Sequence, residues 1–124
     1  MFIFEIIELS NFITESNTNL YYTFGNCINL EYLNVAGFKT NLVTNFRGLF
    51  YNCYSLKSLN LSHFESGIIV GDVMFYNCTS LTYLDISNLG KNDPKGSYSN
   101  SGFILMRQIF QNCEKLTLFE LEKF

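Results

Sequence analysis

The sequence predicts an α/β solenoid, with short parallel strands on one face of a stack and short helices or turns on the other. Three observations carry this expectation. The phrase LFYNCYSLKSLNLSHF at 49–64 returns, slightly changed, as YTFGNCINLEYLNVAGF at 22–38, MFYNCTSLTYLDISNL at 74–89 and IFQNCEKLTLFELEKF at 109–124. Its phenylalanine falls at Phe24, Phe50, Phe75 and Phe110, at spacings of 26, 25 and 35 residues. Each copy alternates apolar and polar residues over a short run and then switches to wider apolar spacing. A unit this small cannot close over its own apolar side, so it must stack on its neighbours.

The chain reads as one domain, 1–124. Residues 1–21 form a partial first repeat. Full repeats follow at 22–48, 49–73 and 74–108, and a partial last repeat occupies 109–124. Periods near 25 lie within the range of leucine-rich repeats. The longer third unit carries an insertion at 90–102, GKNDPKGSYSNSG, whose turn chemistry marks a surface loop. In the first unit Phe4, Ile7, Leu9 and Phe12 keep the spacing of Leu30, Leu33, Val35 and Phe38, while the polar TESNTNL that follows has no helical face.

Within each unit the strand comes first: LEYLNV at 30–35, LKSLNL at 56–61, LTYLDI at 81–86 and LTLFEL at 116–121, with the degraded first unit making about five strands. Alternation turns Leu33 and Val35 inward and Tyr32 and Asn34 outward. A turn follows at Ala36-Gly37, Ser62-His63 or Ser87-Asn88. The return segment places Val43, Phe46 and Phe50, and likewise Phe103, Met106 and Phe110, at i, i+3 and i+7, which predicts a short helix. Leu33, Leu59, Leu84 and Phe119 should stack as one core column, beside a spine of Phe24, Phe50, Phe75 and Phe110.

Composition limits the function. The chain is 48% apolar with a net charge of −3, and its eight Lys and Arg are scattered. Nucleic-acid binding would call for basic clusters, so no nucleic acid is expected as a partner. No apolar run is long enough for a transmembrane helix. The opening MFIFEIIEL lacks a basic flank and is interrupted by Glu5 and Glu8, so it does not read as a signal peptide. The chain is expected to be either cytosolic or the interior of a longer protein.

The pattern [L/M]-F-x-N-C-x-S-L-x-x-L-[D/N]-[L/I]-S-x-[F/L], plainest at 49–64 and 74–89 and supported by Val43-Thr44-Asn45-Phe46, resembles the BspA-type leucine-rich repeat. The resemblance covers roughly 22–124. It implies a protein-binding or adhesion module, part of a surface protein and without catalysis, whose partner is a protein or cell-surface ligand. Two other readings stand beside it: a purely structural stretch of a longer solenoid, and an intracellular interaction scaffold.

Several residue sets invite chemistry and are weighed against plainer roles. Cys27, Cys53, Cys78 and Cys113 recur at one repeat position without the paired spacing of a zinc site, and are expected as a column of buried free thiols. The asparagines before them, Asn26, Asn52, Asn77 and Asn112, are expected to bond backbone groups that the turn leaves unpaired. Asn60-Leu61-Ser62 and Asn77-Cys78-Thr79 are formal glycosylation sequons. His63, beside Ser62 and Glu65, is read as a solvated turn histidine rather than a general base. No cofactor or metal is expected. The outward strand face, with columns Ile6–Tyr32–Ser58–Tyr83–Leu118 and Glu8–Asn34–Asn60–Asp85–Glu120, is the candidate binding surface, represented by Tyr32, Asn34, Asn60, Tyr83 and Asp85. Tyr98 in the 90–102 loop is a second candidate contact. The chain opens on MFIF and stops at Phe124 within a unit, so self-association through uncapped ends is also expected.

Overall fold

The computed structural model describes residues 5–11, 14, 16, 18–66, 69–89 and 103–117. The expected last strand through Leu118, Phe119 and Glu120, the 90–102 loop with Tyr98, and Phe4, Phe12 and Ile68 lie outside them.

Four parallel strands form the predicted sheet: β1 (Glu5–Glu8), β2 (Leu30–Asn34), β3 (Ser58–Asn60) and, one rung further on, β5 (Tyr83–Asp85), in the order β1-β2-β3-β5. Residue for residue, Ile6 pairs with Tyr32, Tyr32 with Ser58, and Ser58 with Tyr83. That register follows from burial. Leu33, Leu59 and Leu84 point inward and are buried, whereas Tyr32 and Tyr83 point outward. A slip of one residue would reverse every side chain.

Each strand ends in the same corner. Phe38, Phe64 and Leu89 donate their N–H groups to Val35, Leu61 and Ile86, closing tight four-residue turns. The last outward residue of the strand braces each turn, since Asn34, Asn60 and Asp85 accept from the N–H two residues on, at 2.9–3.0 Å. Phe38 and Phe64 then stack, with centroids 6.5 Å apart. The next corner is held by buried hydroxyls: Thr14 accepts from Lys39 N–H and Thr40 from Glu65 N–H, each bridging one rung to the next.

The return side corrects the sequence expectation. Among the described residues it contains no helix. β4 (Ile69–Val70) and β6 (Phe103–Leu105) pair in parallel as a second small sheet, and bridges from Asn19 to Asn45 and from Asn45 to Val70 extend it across the earlier rungs. Tight turns make up the rest. A helix spends each N–H on a carbonyl four residues back, whereas here alternate N–H groups leave the rung. Phe46, Gly48, Phe50 and Asn52 donate to Val70, Asp72, Met74 and Tyr76 of the next rung at 2.8–3.0 Å, while Leu49, Tyr51 and Cys53 close turns onto Phe46, Gly48 and Phe50. Such four-residue turns, closed between residues three apart, reproduce the i, i+3 spacing that reads as a helix face.

Two residues per rung must also turn left-handed, which a right-handed helix forbids. One column is Tyr22, Gly48, Val73 and Gln108, with φ from 50° to 61°, and the other is Asn26, Asn52, Asn77 and Asn112, at 59–62°. Glycine at 48 relieves backbone strain and also clears space, because a Cβ there would lie 2.4 Å from the Tyr22 ring.

The core lies between the two faces. Phe24, Phe50, Phe75 and Phe110 stack with centroids 5.6–5.7 Å apart and planes within 10° of parallel. Phe50 and Phe75 are fully buried, and Leu49, Leu56, Leu59, Leu61 and Met74 fill the space beside them. Phe50 and Phe75 each have a ring on both sides. Phe50→Ala is expected to cost ~3–5 kcal/mol in chemical denaturation, and a loss under ~1 kcal/mol would show that the spine does not carry the fold.

Candidate binding face and the polar columns

The sheet register places the predicted residues in two outward rows. Ile6, Tyr32, Ser58 and Tyr83 form one; Glu8 pairs with Asn34, and Asn60 with Asp85, in the other. Leu118 and Glu120, predicted to continue them, lie outside the described residues. Ile6 is 68% exposed and Tyr32 and Tyr83 are each 41% exposed, while Ser58 lies lower between the two rings. A shallow groove of about 430 Å³ runs beside them, lined by Ile6, Tyr32, Asn34, Ser58, Asn60 and His63 among others.

The rows differ in what holds them. Asn34, Asn60 and Asp85 are occupied by the turn-bracing bonds, and Asn34 also donates from Nδ2 to Glu8 at 3.1 Å. Hydrogen bonds from Ser10 hold the Glu8 carboxyl below its ordinary range, with Asn34 adding to the effect. Lys57 bonds Glu31 at 2.8 Å and lies 5.8 Å from the Tyr32 ring centroid, so the ring has a cation on one side. Tyr32 and Tyr83 thus offer apolar area and a hydroxyl on a rigid strand, and neither has a turn to brace.

His63 is placed differently from the sequence reading. It is half-buried, donates from Nε2 to Val35 O of the preceding rung at 2.7 Å, and sets its ring edge-on against Phe64. Its ring nitrogen is spent on joining two rungs.

The cysteines are free, and the expected buried column holds at its centre only: Cys53 and Cys78 are buried, Cys27 and Cys113 half-buried. The thiols of Cys53, Cys78 and Cys113 donate to the carbonyls of Phe24, Phe50 and Phe75 one rung back, at 3.0–3.2 Å. Burial pushes Cys53 up to about 12. The neighbouring Cys113 thiol, with burial, pushes Cys78 well above the ordinary thiol range.

The asparagine column is a correction. These side chains bond one another and not the backbone: Asn52 donates to Asn26, Asn77 to Asn52 and Asn112 to Asn77, at 3.0, 2.8 and 2.6 Å. Asn77, a formal sequon residue, has its amide committed to this ladder.

A fourth column was missed. Five residues before each ladder asparagine stand Tyr21, Arg47, Asp72 and Arg107. Asp72 is 2% exposed. It accepts from Arg107 N–H at 2.7 Å, Arg107 Nε at 3.2 Å and Arg107 Nη2 at 2.8 Å, while Arg47 Nη1 lies 3.7 Å away. Hydrogen bonds from the Arg107 side chain hold the Asp72 carboxyl below its usual range, against the opposing effect of burial. Aligning the units on Asn-Cys would have exposed this alternation of charge.

The family model for the BspA type leucine rich repeat region matches in six copies over residues 2–117. The chain belongs to this family. No curated protein and no solved structure matches it. The BspA-type pattern now has a local meaning at each fixed position: Phe for the spine, Asn for the amide ladder, Cys for the thiol-to-carbonyl bond, and Asn or Asp for the strand-end turn. Among the described residues no three His, Cys, Asp or Glu side chains gather to hold a metal ion, and no helix is long and apolar enough to cross a membrane.

Two outcomes follow. Because the Asp72 carboxyl titrates below its unfolded value near 3.8, it stabilises the fold above that pH, and the contribution is lost as pH falls through the lower folded value. Asp72→Asn is expected to flatten the acid side of the stability profile, and an unchanged slope would contradict this. Thiolate is the reactive form of cysteine and must also be accessible. In the folded chain a small alkylating agent should therefore modify Cys113 first, its thiol held down by the Cys78 hydrogen bond. It should reach half-buried Cys27 more slowly, because burial raises that thiol, and spare Cys53 and Cys78. Equal labelling of all four by mass spectrometry would mean that the column is open.

Proposed function

We propose that this domain is a protein-contact module of the adhesion type and that its contact residues lie on the outward strand face, centred on Tyr32 and Tyr83. The observation that carries the reading is the unequal commitment of side chains. Phe, Asn, Cys and the strand-end Asn or Asp are spent on holding rungs together, while the two tyrosines stand exposed beside Ile6 on a rigid sheet with no such bond. Tyrosine gives large contact area at low entropic cost, and a parallel-strand face is where solenoids often bind. The BspA-type repeat supports an interaction role, and members of the leucine-rich-repeat class are typically not catalysts. Membership of a surface protein is part of the same proposal.

Asn34, Asn60 and Asp85 are assigned to the rim of the contact, since changing them would disturb the turns as well. The tyrosines therefore make the clean test. A Tyr32→Ala/Tyr83→Ala variant should keep the melting temperature within a few degrees and lose at least about tenfold in affinity for a protein partner selected on the immobilised domain. Full binding by the folded double variant would place the contact elsewhere.

A further inference from the structure

The Tyr21–Arg47–Asp72–Arg107 column lies away from the strand face and carries charge that the repeat does not need. Arg47 and Arg107 come from rungs on either side of Asp72, and both reach the same oxygen, Oδ2, at 3.7 and 2.8 Å. The nearest nitrogens of the two guanidinium groups therefore lie no more than 6.5 Å apart, with one buried carboxylate beneath them. Two positive charges over one negative leave a local excess of one, in a chain whose net charge is −3. Above them opens a cleft of about 620 Å³, lined by Arg47, Asp72, Val73, Arg107 and Gln108.

The donors are not exhausted. Arg107 spends Nε and one Nη2 hydrogen on Asp72 and leaves its remaining edge to solvent, with 72% of the side chain exposed. Arg47 reaches the carboxylate only at 3.7 Å, its side chain is 43% exposed, and its Nε is shielded and without a hydrogen-bond partner. A planar guanidinium can match a carboxylate through two parallel hydrogen bonds. Arg107 directs Nε and Nη2 at the single oxygen Oδ2 of Asp72, so the Nη1–Nη2 edge of its fork is left for a second carboxylate. One excess positive charge suits a monoanion better than a dianion.

We infer that the Arg47–Arg107 cleft is an anion-recognition site for a single carboxylate, supplied by a Glu or Asp side chain of a protein partner and held between the two guanidinium groups with Asp72 fixing their spacing. This takes the protein nature of the partner from the reading above but is independent of the strand face. The domain then has two contact regions, an aromatic one on the strands and a charged one on the turns.

The test is an amide NMR titration of the full chain with a capped tetraglutamate peptide, run beside the tetraglutamine peptide and a sulfated heparin-type disaccharide. Saturable shifts at Val73, Arg107 and Gln108 with tetraglutamate, weakening as salt rises and absent with tetraglutamine, are expected. Arg47→Gln should weaken the binding about tenfold, the loss of a charge-assisted contact. Arg107→Lys, which keeps the charge and removes the fork, should weaken it as well. Arg47→Gln keeps the main Asp72 contacts, so it remains informative if the Arg107 variant fails to fold. Tyr32→Ala/Tyr83→Ala should bind the peptide as the parent does, which separates failure of this site from failure of the strand face. No shifts with tetraglutamate, equal binding by Arg47→Gln, loss of the peptide in the tyrosine variant, or tighter binding of the sulfated disaccharide would each overturn the assignment.

Discussion

The stack depends on one two-residue clamp, the Asn-Cys step of each rung. The left-handed asparagine sends its backbone N–H forward to the next rung, from Asn52 to Tyr76 and from Asn77 to Gln111, while its side-chain amide reaches back to the asparagine before it. The cysteine that follows reaches back too, its thiol on the carbonyl of the previous spine phenylalanine. Each of these carbonyls already accepts the turn's own N–H, from Cys27 to Phe24 and from Cys53 to Phe50, and the thiol fills its second lone pair from the next rung. The Phe rings stack at a constant interval of 5.6–5.7 Å, the same rung spacing that the clamps span.

Fixing the spacing in this way divides the side chains into two groups. Residues that repeat in every unit face a neighbour of their own kind and are consumed by it. Residues that vary from unit to unit, such as Tyr32, Ser58 and Tyr83 on the strands or Tyr21, Arg47, Asp72 and Arg107 on the turns, have no such constraint and carry whatever individuality the domain has. Distinguishing them is a matter of register, and the register was readable.

The strand face was legible because period-two alternation in LEYLNV and LTYLDI has one solution once Leu33 and Leu84 must be buried. Spacing of the phenylalanines gave the spine for a similar reason. The return side was misread because apolar residues three apart serve a helix and a chain of tight four-residue turns equally well; the difference lies in the left-handed positions, and of the column Tyr22, Gly48, Val73 and Gln108 only one residue is glycine. Asn ladders are likewise hard to foresee, since an amide bonds backbone or another amide with equal ease. The Arg–Asp–Arg column was present in the sequence at a constant offset from Asn-Cys, but its meaning required knowing that the rungs sit directly above one another.

Building the return face from turns instead of helices also changes its electric field. A row of short helices would align their peptide dipoles and present roughly half a unit charge at each end. In the turn-built rungs Phe46, Gly48, Phe50 and Asn52 all direct their backbone N–H groups to the next rung, and the asparagine amide points back, so the rung-to-rung peptide dipoles run along the stacking axis. The backbone polarity of the scaffold is thus directed toward the two ends of the stack. Between them a partner would meet chiefly side-chain charges, and an exposed position such as Arg47 can change these more readily than buried Asp72 can.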